Sequence, residues 1–382
     1  MRTLLNLYQV AMTDPSFIAS SLKKKAIVRL TDLIEDSLIS QQAMEKLGLT
    51  GWQVRWVIRK LLTQDFVDQK KMIACQKKFE KKYWPYISEN YQQGPVSDLL
   101  YGLSALVFSL DSDKDDIKKI SKFIVSRMEK EIVQLNGVWG WLSDDHAETI
   151  ADSSAIQFGM AHGITNAILA LSLLIRLDPS VSKSIERLLE KLAVSFPAVF
   201  KMGRVEVIGF CPQVFQPSKI NQRVSWCRSD LSTGLALIIS GQRLGLKNYV
   251  LLGKKFLNRL KKQPRRVLMT DNPYLCHGSS GNFYLYWTAY EKTQDSWFLT
   301  QARQTELMTK SFLDQKTFPR KSQIMELQLI DLRNSELTGR SFRQNYSREW
   351  DFIFGYREFL PCETEKKIPR QNSKIRIKTP VE

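Results

Sequence analysis

Apolar residues recur every three or four positions along much of the chain, which is the spacing of one buried face of an α-helix. The pattern is clearest in residues 117–133, 164–177, 181–194, 234–244 and 249–260. Alternation of apolar and polar residues, the mark of a half-buried strand, is rare, and only residues 206–216 are compatible with a short hairpin. The sequence therefore predicts an all-α protein.

Small residues precede several of these apolar stretches at similar intervals. The turns lie 49 to 66 residues apart, at Gly51, Gly102, Gly163, Ser229, Gly278 and Gly339. Each interval is long enough for two helices, and a small residue at a helix start lets a neighbouring backbone approach closely. About six helix pairs of this kind predict an α/α toroid, a double-layered helical barrel. From the repeats alone, an irregular helical protein is an equally good interpretation.

No linker rich in proline, serine or glycine divides the chain, so we expect one domain over residues 1–361. Within it, residues 1–90 form a degenerate N-terminal repeat. Residues 362–382 are polar and predict a frayed tail.

The charge balance points to an anionic partner. Lys and Arg number 56 against 39 Asp and Glu, a net charge of +17, which suits nucleic acid, a membrane surface or an acidic peptide. The lysine clusters form no recognised nucleic-acid-binding module, which disfavours nucleic acid. The longest apolar run, 167–175, is about half of what a membrane span needs, and no secretory signal is evident. Five cysteines, an odd number, argue against a disulfide scaffold and favour the cytoplasm.

The adjacent pair Cys276 and His277 is the most informative feature, because the chain has only five cysteines and three histidines. Thiolate and imidazole together suit zinc, and Cys227, at another repeat turn, is the candidate for a second thiolate. The alternative is that both cysteines are small buried residues. His146 has no such neighbours and is better explained as part of an insertion loop.

Four ordered motifs resemble the lanthionine synthetase C-like proteins, the cyclases of lanthipeptide biosynthesis. They are Asp98-Leu-Leu-Tyr-Gly-Leu-Ser-Ala105, Gly159-Met-Ala-His-Gly-Ile164, Arg223-Val-Ser-Trp-Cys-Arg-Ser-Asp-Leu-Ser232 and Leu275-Cys-His-Gly-Ser-Ser-Gly281. The likeness spans roughly residues 45 to 355. It implies an α/α toroid that binds one zinc ion through Cys227, Cys276 and His277. It also implies addition of peptide cysteine thiols to dehydroalanine or dehydrobutyrine, which forms lanthionine or methyllanthionine rings.

The resemblance also implies roles for three further residues. His162 matches the family's active-site histidine and is the candidate acid or base, and Asp98 would orient it or share in proton transfer. Attack on the β-carbon develops an enolate, which a cation such as Arg223 would stabilise. The implied partners are a dehydrated precursor with its leader peptide, and a dehydratase and exporter in a membrane-associated complex. We expect a cytoplasmic protein that is a monomer on its own and is peripherally membrane-associated through those partners.

The sequence departs from the family pattern at several positions. Arg228, Ser229 and Ser232 replace the usual Tyr, Gly and Gly, and Asn166 stands where glycine is common. The first and last repeats, near residues 49–55 and 337–345, are degraded. These departures favour a second hypothesis, a zinc-containing peptide-binding scaffold without catalytic activity. A prenyltransferase-like zinc enzyme and a nucleic-acid binder are weaker alternatives, since the former lacks motif support and the latter rests on charge alone.

Overall fold

The computed structural model describes residues 28, 69–90, 96–99, 102–110, 117–135, 137–142, 156–202, 224–268, 270–272 and 277–314. These residues are almost entirely helical. The helices are α1 (Gln69–Asn90), α2 (Leu103–Ser109), α3 (Ile117–Glu131), α4 (Ile164–Leu177), α5 (Ser182–Met202), α6 (Asp230–Leu244), α7 (Lys247–Lys261), α8 (Arg265–Leu268), α9 (Ser279–Thr293) and α10 (Ser296–Asp314). A 3₁₀ turn, Pro179–Val181, leads into α5.

The described strands form one small hairpin. β1 (Val133–Leu135) and β2 (Val138–Gly140) pair antiparallel, with Val133 opposite Gly140. All five stretches predicted as helices are helical over most of their length, which confirms the all-α prediction for the described part of the chain. The first helix ends two residues earlier than predicted, because Val133 belongs to β1. The hairpin proposed for residues 206–216 lies outside the described residues.

The chain divides into two compact units. One takes residues 1–94, 100–109 and 310–347, and the other takes 95–99, 110–309 and 348–382. The second unit contains α3 to α9, the hairpin and every candidate site residue that the structure describes. One domain over residues 1–361 stays a prediction. Most of the proposed repeat over residues 1–90, and the whole tail from 362, lie outside the described residues.

Helix α4 is the centre of the second unit's core. Every residue from Ile164 to Leu174 is buried, so this helix is surrounded and lacks a polar face over three turns. Helix α7 instead buries one stripe, formed by Tyr249, Gly253, Phe256, Leu257 and Leu260. The apolar run noted in the sequence is thus a core helix, and no helix in the described ranges is long and apolar enough to cross a membrane.

Helices α6 and α7 pack at unusually short range through two glycines. A Cβ added at Gly253 would lie 2.6 Å from the backbone oxygen of Gly234, closer than real Cβ atoms approach any atom. Beside this contact, Phe196 of α5 packs edge-to-face against Phe256 of α7 and against Phe158, just before α4. The close packing fixes α6, whose first residue follows the segment carrying Cys227.

Candidate functional site

The small residues singled out in the sequence begin three of the helices. Gly163, Ser229 and Gly278 are the N-cap residues of α4, α6 and α9, and each has an extended backbone. Gly102 likewise directly precedes α2. The repeat positions at Gly51 and Gly339 lie outside the described residues. The turns before α4, α6 and α9 carry the candidate site.

The structure brings Asp98 and His162 together although they are 64 residues apart. His162 Nδ1 lies 2.6 Å from Asp98 Oδ2. Asp98 is buried, while 29% of the His162 side chain is exposed. Since an ionised carboxylate only accepts hydrogen bonds, the Nδ1–H of His162 donates a hydrogen bond to Asp98. The imidazole is thereby held in one orientation and one tautomer, and proton exchange with a substrate would use Nε2.

Backbone and side-chain hydrogen bonds hold the Asp98 segment against the turn before α4. The Leu99 N–H donates to the Ala161 carbonyl at 2.8 Å. Asn166, fully buried in the first turn of α4, donates from Nδ2 to the carbonyls of Ser97 at 2.8 Å and Gly163 at 2.9 Å. These bonds flank the Asp98–His162 pair on both sides, so its geometry follows from the backbone.

Cys227 is fixed beside the same turn through its carbonyl. That oxygen accepts hydrogen bonds from the N–H groups of Met160 at 2.6 Å and Ala161 at 3.3 Å. A Cβ at Gly159 would lie 2.5 Å from it, so this contact requires glycine. The backbone of Cys227 therefore touches the turn that carries His162.

The serines at 229 and 232, noted as departures, form a capping box at the start of α6. The Ser229 side chain accepts from the Ser232 N–H, and the Ser232 side chain accepts from the Ser229 N–H. Ser229 Oγ also donates to the Ser225 carbonyl at 2.6 Å. The two serine side chains thus accept hydrogen bonds from free backbone N–H groups at the start of α6, which glycine, having no side chain, could not do.

Asp230, the first residue of α6, is fully buried and bound by an arginine. The guanidinium of Arg259 donates to both carboxylate oxygens, at 2.6 Å from Nε and 2.5 Å from Nη2. A two-point contact of this kind fixes direction as well as distance. It secures the N-terminus of α6, three residues after Cys227, to the last turn of α7.

His277 is half-buried immediately before the N-cap of α9. Asn282, in the first turn of that helix, donates from Nδ2 to the Val224 carbonyl at 3.0 Å. This bond joins the start of α9 to the segment that leads into Cys227. Cys276 and Arg223 lie outside the described residues, as does His146.

The donor types present suit zinc only when Cys227 is reduced. Cys227 is buried. A disulfide sulfur is not the thiolate that zinc binds. Within the described ranges no three His, Cys, Asp or Glu side chains are grouped as a metal site needs, and Cys276, the expected third ligand, lies outside those ranges. A reduced Cys227 with Cys276 and His277 would supply the thiolate and imidazole ligands typical of zinc.

The sequence profile of the lanthionine synthetase C-like proteins matches residues 3–323 of this chain. The chain belongs to the lanthionine synthetase C-like family. Among solved structures, nisin cyclase matches with a TM-score of 0.65 and 15% sequence identity, covering 92% of this chain and 89% of nisin cyclase. A likeness at that identity shows a shared fold. No curated protein matched the sequence.

Sequence reasoning missed two residues of this lanthionine synthetase C-like protein that shape the site. Asn282 was not noted, and Asn166 was noted only as a departure from glycine. The available signal was an asparagine three or four residues after the N-cap glycine in two repeats, Gly163 and Gly278. Buried amides of this kind need partners, which an adjacent repeat can provide.

Proposed function

We propose that the chain is a zinc-dependent lanthipeptide cyclase that adds peptide cysteine thiols to dehydroalanine or dehydrobutyrine. The observation that carries the proposal is the Asp98–His162 pair, at 2.6 Å, on the turn whose N–H groups hold the Cys227 carbonyl. An oriented acid/base beside a candidate thiolate ligand is the pairing that this reaction requires. Family membership supports the same conclusion.

Reduced Cys227, Cys276 and His277 would hold one zinc ion. When bound, the ion would favour the thiolate form of a substrate cysteine at neutral pH. The proposed ligands belong to two different helix-start turns, the one before α6 and the one before α9.

The chain's own residues would act on the acceptor side of the reaction. The substrate sulfur forms a bond to the β-carbon, the carbon–carbon double bond becomes an enolate, and the α-carbon then takes a proton. The thiol proton is released when the nucleophile forms, so atoms and charge balance. His162 would supply the α-carbon proton from Nε2, held by Asp98, and Arg223 would stabilise the enolate oxygen.

The rest of the proposal concerns architecture and partners. The helix pairs would close into an α/α toroid of about six repeats, as the match to nisin cyclase supports. The substrate would be a dehydrated precursor with its leader peptide, supplied by a dehydratase and passed to an exporter. The protein would be a cytoplasmic monomer that reaches the membrane through these partners.

The test measures zinc content and thioether yield on the same preparations, with one dehydrated peptide. Replacing Cys227, Cys276 or His277 by Ala should remove both zinc and ring formation. His162→Ala should keep zinc and lose about 10²- to 10⁴-fold in rate, the usual contribution of a positioned acid or base. Asp98→Asn should resemble it, and the double variant should be little worse than either. Wild-type protein without zinc, or His162→Ala at the wild-type rate, would contradict the proposal.

A peptide-binding scaffold is the second candidate, favoured by Arg228. This half-buried cation occupies the family's usual Tyr position, and its Cβ lies 3.5 Å from where a Gly159 Cβ would stand. It therefore adjoins the turn that carries His162. Full zinc loading and precursor binding without any ring formation would favour the scaffold over the cyclase.

A further inference from the structure

Helix α7 differs in charge from helices α3, α5 and α10. From Leu246 to Thr270 the chain has eight Lys and Arg residues and no Asp or Glu. Helices α3, α5 and α10 instead mix lysine or arginine with glutamate. This stretch therefore makes a large local contribution to the net charge of +17.

Two of these cations are already paired. Arg259 binds Asp230, and Lys261 forms an ion pair with Asp295. Five others are exposed and contact no carboxylate of the described part of the chain: Lys247, Lys254, Lys255, Lys262 and Arg265. Within the described part of the chain, their positive charge is therefore available to an anionic partner.

Three of these lysines share the outer face of α7 with a leucine. Lys247, Leu251, Lys254 and Lys255 recur at intervals of three and four, the spacing of one helix face, opposite the buried stripe. Leu251 is 58% exposed, one of the largest exposures of an apolar side chain in the described residues. We call these four residues the basic face.

We propose that the basic face binds directly to the surface of an anionic lipid bilayer. Lysines around an exposed leucine suit a lipid surface, because the ammonium groups reach phosphates while the apolar side chain enters the headgroup region. The face offers no strand edge or unpaired backbone groups to an extended acidic peptide, since the amides and carbonyls of a helix interior are bonded within it. The three lysines span about 12 Å along the helix axis, enough to reach more than one lipid headgroup at once.

This inference is independent of the proposed cyclase activity. None of the four residues belongs to the candidate site, and the direct lipid contact would add to the membrane association through partners proposed above. Each lysine near an anionic surface should contribute roughly fivefold to the partition coefficient at low salt, so three should contribute about 100-fold. The attraction should weaken as salt shortens the screening length to about 8 Å at 0.15 M.

The experiment is flotation of the full chain with vesicles of phosphatidylcholine, alone or with one quarter phosphatidylglycerol. Wild-type protein should float with the anionic vesicles and not with the neutral ones. The triple variant Lys247→Gln, Lys254→Gln, Lys255→Gln should bind about 100-fold less. The Leu251→Ser variant should bind the anionic vesicles roughly tenfold less than wild type does. Its remaining binding should be electrostatic, so salt should abolish it more completely than it abolishes wild-type binding.

A matched control removes three exposed lysines from α3: Lys118→Gln, Lys122→Gln, Lys130→Gln. It has the same net charge as the α7 variant and should bind nearly as wild type does. Equal binding by the two triple variants, or no preference for anionic vesicles, would overturn the proposal. Binding of soluble polyglutamate through α7 without any vesicle binding would also overturn it, in favour of an acidic protein partner. Zinc content and ring formation of the α7 variant should be unchanged, so this test does not depend on the cyclase.

Discussion

Asn166 and Asn282 occupy comparable places in two repeats. Each lies in the first turn of its helix, fully buried, and donates from Nδ2 to a backbone carbonyl of an earlier segment. The carbonyl belongs to Ser97, next to Asp98, in the first case and to Val224, three residues before Cys227, in the second. Each asparagine thus acts as a positioning residue for a different half of the candidate site.

Replacing either asparagine should therefore affect a different property. Asn166→Ala should slow ring formation by about 10- to 100-fold with zinc retained, because the Asp98–His162 pair loses its support. Asn282→Ala should weaken zinc binding by about 10- to 100-fold, the usual effect of losing a residue that orients a metal ligand. Each should lower the free energy of unfolding by roughly 1–3 kcal/mol, because a buried carbonyl loses its partner.

The measurement is a zinc titration together with thioether yield at saturating zinc. Excess zinc should restore ring formation in Asn282→Ala and not in Asn166→Ala. The assignment fails if both variants lose zinc to the same extent, or if neither changes ring formation.

The sequence predicts the identity of site residues better than their supports. His162 and Asp98 stand out because each belongs to a motif, and the structure places them in contact. The role of Asn166 depends on its hydrogen bond to the Ser97 carbonyl, 69 residues earlier in the chain. No local sequence pattern predicts that contact. From the sequence alone, asparagine in place of glycine at position 166 therefore indicates a departure from the family pattern and not a supporting residue.

At the scale of single elements, the period of apolar residues predicts helices well and their ends less well. Helix α4 has the predicted bounds, since its apolar residues recur along its whole length and Asp178 is the C-cap that ends it. Helix α6 begins at Asp230, four residues before the predicted start, because the Ser229–Ser232 capping box lies outside the apolar period. The hairpin of β1 and β2 was not predicted, because three-residue strands are too short to show alternation.

The start of α6 depends on the ion pair between Asp230 and Arg259. Asp230 is fully buried and Arg259 partly exposed, so the two halves of the pair should differ in importance. Arg259→Met should lower the free energy of unfolding by about 3–5 kcal/mol, because it removes the positive charge that binds a buried carboxylate. Asp230→Asn should cost less, since the guanidinium can reach water.

Denaturant titration of the variants tests this difference. Arg187→Met is the control, since its ion pair with Glu129 is exposed and should contribute less than about 1 kcal/mol. Equal effects of Arg259→Met and Arg187→Met would show that the buried pair has no special role.

At the scale of the whole molecule, the sequence profile establishes that the chain belongs to the lanthionine synthetase C-like family. Closure of the helix pairs into a toroid stays a prediction. Local periodicity gives helices and their order, but it does not specify which helices meet across the molecule. The four motifs supplied that information through family likeness. Residues 1–27, 29–68 and 315–382, which the first and last repeats would occupy, lie outside the described residues.

Zinc binding should depend on the redox state of the protein, because zinc binds cysteines as thiolates and two of the three proposed ligands, Cys227 and Cys276, are cysteines. Reduced protein should bind about one zinc ion, and at a thousandfold excess over Kd this should add about 4 kcal/mol to the free energy of unfolding. Oxidised protein should gain nothing until a reductant is added. Thermal unfolding with and without zinc, in both redox states, measures this.

Cys75→Ser supplies the control, because Cys75 is buried in α1 and forms no disulfide. It should leave the zinc response unchanged. A zinc response in the fully oxidised wild type would exclude Cys227 as a ligand.

The hydrogen bonds that hold the candidate site also set when it can exist during synthesis. They join Leu99 to Ala161, Met160 to Cys227 and Val224 to Asn282, so each contact spans about 60 residues or more. Such distant pairings form late, because a long loop must close before they do. A ribosome adding about 5–20 residues per second needs roughly 10–40 seconds to pass from Leu99 to Asn282. A nascent chain that ends before Asn282 would have helices but no assembled site. A truncated protein of that length would therefore be inactive, even if its first helices fold.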